Sequence, residues 1–166
     1  MILGLSTATF TLVHVCLSFI GMLAGAIVVY GMCKSQRWRA WTALFLVTTA
    51  ATTVTGFLFH SVKFGAAHAV GAVSLVVLVL AILALYIYRL AGPWRWLYVV
   101  AALSAFYLNV FVGIVQAFQK LPLLRALAPT QSEPPFAITQ LGVFLLFIAL
   151  SALAVRKFHP EPRART

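Results

Sequence analysis

Apolar residues fall in five long runs separated by short polar or basic breaks, and none of the runs contains Asp, Glu, Lys or Arg. A helix rises ~1.5 Å per residue, so about 20 apolar residues cover a hydrocarbon layer ~30 Å thick. Five segments are long enough: Leu5 to Met32, Trp41 to Phe59, Ala66 to Tyr88, Trp96 to Phe118 and Phe136 to Val155. The pattern predicts an all-α polytopic membrane bundle of five transmembrane helices, one domain over residues 1–158. The first run exceeds the ~7–15 residues of a signal-peptide core and has no basic leader, so it reads as a retained helix with no soluble domain before it. Short connections after the first three runs make consecutive helices antiparallel neighbours. The longer connection, 119–135, differs. Its KLPLLRALAP stretch mixes apolar residues with Lys120 and Arg125 between Pro122 and Pro129, which predicts a short interfacial helix. The following TQSEPP predicts an extended or turn-rich re-entry into the fifth span. The segment from Phe158 to Thr166, with two prolines and several charges, is expected to be disordered.

Composition strengthens this picture. Of the 166 residues 63% are apolar and 8% charged, against roughly a quarter charged in soluble domains, which excludes a soluble globular protein. The net charge of +10 comes from 12 cations and only two acids, Glu133 and Glu161. The cations punctuate apolar runs instead of forming a face, so no nucleic-acid partner is inferred. Two acids also leave little for paired-carboxylate catalysis, an oxygen-rich metal cage or a carboxylate proton relay. Lys34, Arg37, Arg39, Arg89, Arg95, Arg156, Lys157, Arg163 and Arg165 fall on one side of the predicted topology, and Lys63, Lys120 and Arg125 on the other. Cations are retained on the cytoplasmic side, so the N-terminus is expected outside and the C-terminus, with the tail 159–166, inside. Trp38, Trp41, Trp94 and Trp96 lie beside the same loops, where indoles anchor helix ends at the headgroups.

Residues three, four and seven apart share a helix face. Polar or small stripes appear at His14, Ser18, Gly21 and Gly25 in the first span, and at His68, Gly71 and Ser74 in the third. The fourth carries Ala102, Ala105, Asn109, Gly113 and Gln116, and the fifth Gln140, Phe144, Phe147 and Ser151. The glycines read first as close-packing positions. Threading the chain through the topology gathers His14, His60, His68, Asn109, Gln116 and Gln140 in the outer leaflet or its interface, with Glu133 in the adjoining loop. Polar groups are costly in lipid and tend to mark sites, so this cluster is the candidate site. The plainer alternatives are wet interfacial roles for His60 and His68 and a structural His14–Asn109 hydrogen bond. Imidazoles without nearby carboxylates suit haem iron or copper better than calcium or magnesium. Haem b or another small ligand, held by His14 and His68 and serving electron transfer, is therefore the expectation, although His68 lies shallower than His14. A non-enzymatic accessory or assembly subunit of a larger membrane complex and a small-solute transporter are the rivals, the last disfavoured by the scarcity of acids and the lack of an internal repeat. The expected partners besides lipid are another membrane protein or a second copy in a homo-oligomer.

Cys16 and Cys33 sit about 25 Å apart along one continuous helix and cannot pair within it. The threonines of the second span either bond back to helix carbonyls and pack or line a hydroxyl-rich path. His159, in the basic tail, is assigned no role.

LNVFVGIVQAFQKLPLLRALAPTQSEPPFAITQ, from Leu108 to Gln140, resembles a segment of an uncharacterised family of small multi-pass bacterial membrane proteins, and GFLFHSVKFGAAHAVG sits where those proteins have a comparable hairpin. The resemblance implies a bacterial inner-membrane protein with no established activity and carries over no catalytic residue.

Overall fold

Backbone amides have no water to bond in hydrocarbon, so an apolar run of this length must close its hydrogen bonds within itself. The computed structural model describes residues 2, 4–59 and 65–160, and the runs are helices. The order is α1 (Thr7–Cys33), α2 (Arg39–Phe57), α3 (Ala66–Ile82, continued by a π turn at Leu83–Ile87), α4 (Trp94–Lys120), α5 (Pro122–Leu127) and α6 (Pro134–Lys157). α1, α2, α3 with its π turn, α4 and α6 are long and apolar enough to cross a membrane. Their outward-facing Leu, Val, Ile and Phe side chains supply the lipid contact.

The starts and stops follow local chemistry. Ser6 caps α1 by accepting from the Thr9 amide at 3.1 Å. Pro122 and Pro134 open α5 and α6, where a missing N–H has no consequence. α3 ends through the π turn and a sequence of left-handed residues, Arg89 (φ 51), Leu90 (φ 62) and Gly92 (φ 51). Tyr88 then stacks on Trp94 at 3.5 Å between centroids, fixing the entry to α4. The short helix expected between the fourth and fifth spans is present as α5, and residues 128–133 are non-helical as the prolines require.

α4 is the centre, packing against α1, α3 and α6, while α2 lies between α1 and α3. Contacts run antiparallel: Gly21 meets Thr48 and Thr49, Gly25 meets Phe106, Thr53 meets Ser74, and Tyr107 meets Phe144. The apolar core is an aromatic layer in which Phe45 and Phe147 pack edge-on against Phe106 at 6.2 and 5.0 Å. It continues through Ala24, Val28, Leu78, Val99 and Leu103.

One expectation is overturned. Phe158 is not loose: its ring is buried against Tyr98, and its carbonyl accepts from Arg95 Nη1 at 2.9 Å. The backbone amide of residue 159 donates to Ser35 Oγ at 2.9 Å, so the chain is held one residue further. Proline content argued for disorder, but a buried aromatic ring and a paired carbonyl outweigh it. Residues 161–166 lie outside the described residues.

A Cβ on Gly25 would lie 2.9 Å from Phe106 Cδ2 and 3.0 Å from Cγ, against a ring already wedged between Phe45 and Phe147. Gly25→Ala should therefore lower thermal stability in detergent by about 1–3 kcal/mol, exceeding the roughly 1 kcal/mol gained in helix propensity. Gly142→Ala meets nothing within 4 Å and should leave stability unchanged or slightly raised.

Candidate functional site

The two ends of the bundle differ chemically. One end gathers Lys34, Arg37, Arg39, Arg89, Arg95, Arg156 and Lys157 with the four tryptophans, at the close of α1, α3 and α6 and the start of α2 and α4. The other holds His14, Thr55 and His68, with Lys120, α5 and Glu133 beside them. His60 lies outside the described residues.

His14 projects from α1 about 10 Å along the helix from its start. Its Nδ1 lies 2.8 Å from Thr55 Oγ1 on α2, and its ring meets Phe59 edge-on at 5.2 Å. The Thr55 hydroxyl has one proton, and that proton goes back to the helix, with Ala51 O at 2.7 Å and Thr52 O at 3.0 Å. Thr55 therefore accepts from His14, which places the proton of the neutral imidazole on Nδ1 and the lone pair on Nε2. The pairing with Asn109 is not formed. Asn109 Nδ2 instead donates to Ser18 O at 3.4 Å, one turn further along α1, because the antiparallel register of α1 and α4 sets Asn109 opposite Ser18 and Gly21.

His68 occupies the other flank of α2. Its Nδ1 accepts from the Gly65 amide at 3.3 Å at the start of α3, and its ring lies 5.8 Å from Phe57. In the neutral ring that puts the proton on Nε2, the reverse of His14. Thr55 and Phe59 face α1 while Thr53 and Phe57 face α3, so α2 separates the two imidazoles. Gln140 is buried on the α4–α6 seam, with Nε2 donating to Phe111 O at 3.3 Å and Oε1 without a partner among the described residues. Gln116 is exposed on α4. Of the described positions, His14 and Asn109 share the α1–α2–α4 seam, His68 lies between α2 and α3, Gln140 on the α4–α6 seam and Gln116 at the surface, so His14 and Asn109 form the part that converges. Among the described residues no three His, Cys, Asp or Glu gather in a metal-holding group.

The residues that sequence reasoning underweighted are the threonines of α2. Thr48, Thr53 and Thr55 bond back to carbonyls four residues earlier, as a threonine in lipid does by default. Thr49 and Thr52 do not, and both hydroxyls are enclosed without a partner, an arrangement that costs about 1–3 kcal/mol per group when dry. Spacing puts Thr48, Thr52 and Thr55 on one helix face, but no sequence signal separates Thr49 and Thr52 from the threonines that bond back.

The loop before α6 is fixed by Glu133, whose carboxylate accepts from the Thr130 hydroxyl at 2.9 Å and from the Thr130 and Ser132 amides at 3.1 Å. Gln131 Nε2 donates to Val115 O, and Gln119 Nε2 donates to Gln131 Oε1, tying the loop to the end of α4. Loss of water around the Glu133 carboxylate pushes its pKa up, but hydrogen bonds from the Thr130 side chain and from the amides of Glu133, Thr130 and Ser132 outweigh it, so the net displacement is downward.

No protein-family model, curated protein or solved structure matches the chain.

Two outcomes follow from these contacts. In nitrogen NMR, His14 should carry its proton on Nδ1; Thr55→Ser should keep that tautomer and Thr55→Val should release the ring into a mixture at a cost of about 1 kcal/mol. A wild-type ring protonated on Nε2 would contradict the assignment. For Glu133, a folded pKa below the unfolded one gives stabilisation that is complete above the ordinary carboxylate range and lost as pH falls through the lowered value. The Thr130 and Ser132 amide signals should stay native-like through the ordinary range and shift only below it, whereas Glu133→Gln should shift them at every pH.

Proposed function

We propose that this five-span protein resides in the bacterial inner membrane, holds haem b at the His14 end and takes part in electron transfer, with that end facing the periplasm as the distribution of cations favours. The observation that carries the reading is the His14–Thr55 pair. A hydroxyl that accepts from Nδ1–H orients the ring and leaves Nε2 as an electron-pair donor, the arrangement by which outer partners prepare a histidine for a metal. Haem suits a single imidazole better than a bare copper or zinc ion does, because the macrocycle brings four nitrogens of its own while a bare ion needs further side-chain ligands. His14 is accordingly the iron-binding residue, Thr55 and Phe59 hold its ring, and Asn109 supplies an amide on the same seam. His68 is given a structural part here, since its Nδ1 already accepts from Gly65. When bound, haem would supply a one-electron couple; the protein contributes orientation of the ring through Thr55 and Phe59 and a seal at the aromatic layer beneath the seam.

The deciding experiment is an oxidised-minus-reduced visible spectrum, with metal analysis, of protein purified in mild detergent from haem-supplied cells. The expected result is a Soret band and a reducible alpha band near one haem per chain, abolished by His14→Ala, weakened by Thr55→Val and retained by His68→Ala. A colourless, metal-free preparation overturns the reading and leaves an accessory subunit of a larger membrane complex as the next one to test by co-purification.

A further inference from the structure

We propose that the α1–α2–α4 seam binds water deep in the bundle, at a place framed by Gly21, Thr48, Thr49 and Asn109, and that water reaches it from the His14 end alone. The argument is independent of whether His14 holds a ligand.

Three observations meet there. A Cβ added to Gly21 would lie 3.2 Å from each of Asn109 Nδ2, Thr48 Oγ1 and Thr49 Oγ1, so polar atoms from two helices close on the bare face of a third. Thr49 is 1% exposed and its hydroxyl, turned to that face, has no hydrogen-bond partner, although a bond back along α2 is the ordinary recourse of a threonine in lipid. One turn nearer the His14 end, the Thr52 hydroxyl is enclosed and equally unpartnered, and one turn beyond it Thr55 joins His14. The hydroxyls thus step along a single face of α2 from the end of the bundle to a depth of about 20 Å on α1. A buried water needs two to four polar partners, and the frame offers a free hydroxyl, a second hydroxyl with lone pairs to spare and an amide whose bond to Ser18 O is long at 3.4 Å.

The composition of the site selects water over an ion. No acidic side chain occurs in any of the five spans, and a cation or anion in this seam would stand uncompensated in a low-dielectric interior. The file also has an end. One turn past Gly21, Gly25 abuts Phe106, which is flanked by Phe45 and Phe147, and these rings offer no polar atom to carry a chain of water further. The seam is a hydrated inlet with a closed floor.

Water-edited solid-state NMR in lipid bilayers tests this with water itself as the probe. Magnetisation from water should reach the Thr55, Thr52 and Thr49 side chains in that order, each several-fold faster than Phe45 and Phe106, and Gly21→Ala should slow Thr49 to the rate of the rings while leaving Thr55 unchanged. A wild-type Thr49 as slow as Phe106 overturns the proposal, and a Phe45 as fast as Thr49 overturns the closed floor. Should Gly21→Ala fail to fold, Thr49→Val decides by melting temperature. Loss of a hydrated hydroxyl leaves the temperature unchanged or lower, whereas relief of a dry, unpartnered one raises it and refutes the site.

Discussion

The constraint on which this structure depends is that a polar group in hydrocarbon must find its partner inside the protein. α2 is where that constraint is negotiated. It is the least apolar of the five spans, with threonine recurring along much of its length, and it sits between α1 and α3. The Thr48, Thr53 and Thr55 hydroxyls close on their own helix, which makes threonine serviceable in lipid. Two of these also fix the neighbours: Thr55 receives His14 from α1, and Thr53 lies 3.3 Å from Ser74 on α3. One helix thus sets the register of two others through side chains that alternate around its circumference, while Gly21, Gly25 and Gly71 bring the backbones close enough for those short side chains to reach.

The same constraint divides the bundle along its length. At the basic end long cationic side chains and tryptophans stand at an interface, and stability there comes from tethers: Tyr88 on Trp94, Arg95 on the Phe158 carbonyl, and the His159 amide on Ser35. In the middle, dispersion between Phe45, Phe106 and Phe147 serves, and no polar bond is needed. Towards the other end polar contacts take over, and the loop before α6 is organised by the carboxylate of Glu133. Function that needs a polar surrounding has one end to occupy, and function that needs a seal has the aromatic layer beneath it.

How much of this the sequence disclosed follows from what periodicity encodes. Length and apolarity alone determine a span, so all five helices were legible, as was α5 from its flanking prolines. Faces were legible too: Gly21, Gly25 and Ser74 point inward as their spacing requires. What spacing does not encode is the axial register between helices and the rotamer of each side chain. His14 and Asn109 seemed level because both lie in one leaflet, but a shift of one turn gives Asn109 to Ser18 and His14 to Thr55. Two imidazoles at one end suggested a pair of ligands, yet the circumference of α2 keeps them apart. Thr49 and Thr52 are indistinguishable in sequence from the threonines that bond back, and the difference is a rotation about one bond. Phe158 was lost to the composition around it, since a single buried ring carries little weight in a window of prolines and charges.

The closed floor of the polar seam also bears on the choice among classes of function. A transporter must expose its site to each side in turn, usually by moving one group of helices against another about a polar centre. Here α4, the helix that would have to move, packs against α1, α3 and α6 at once, and the three phenylalanine rings link α2, α4 and α6 below the seam. Opening towards the basic end would separate those rings and draw Tyr98 from Phe158, and the cations of the spanning helices stand only in their end turns, with none between to drive the motion. The proposed site, entered from one end with the His14 imidazole paired to Thr55 near its mouth and aromatic packing at its base, suits a resident ligand held still better than alternating access.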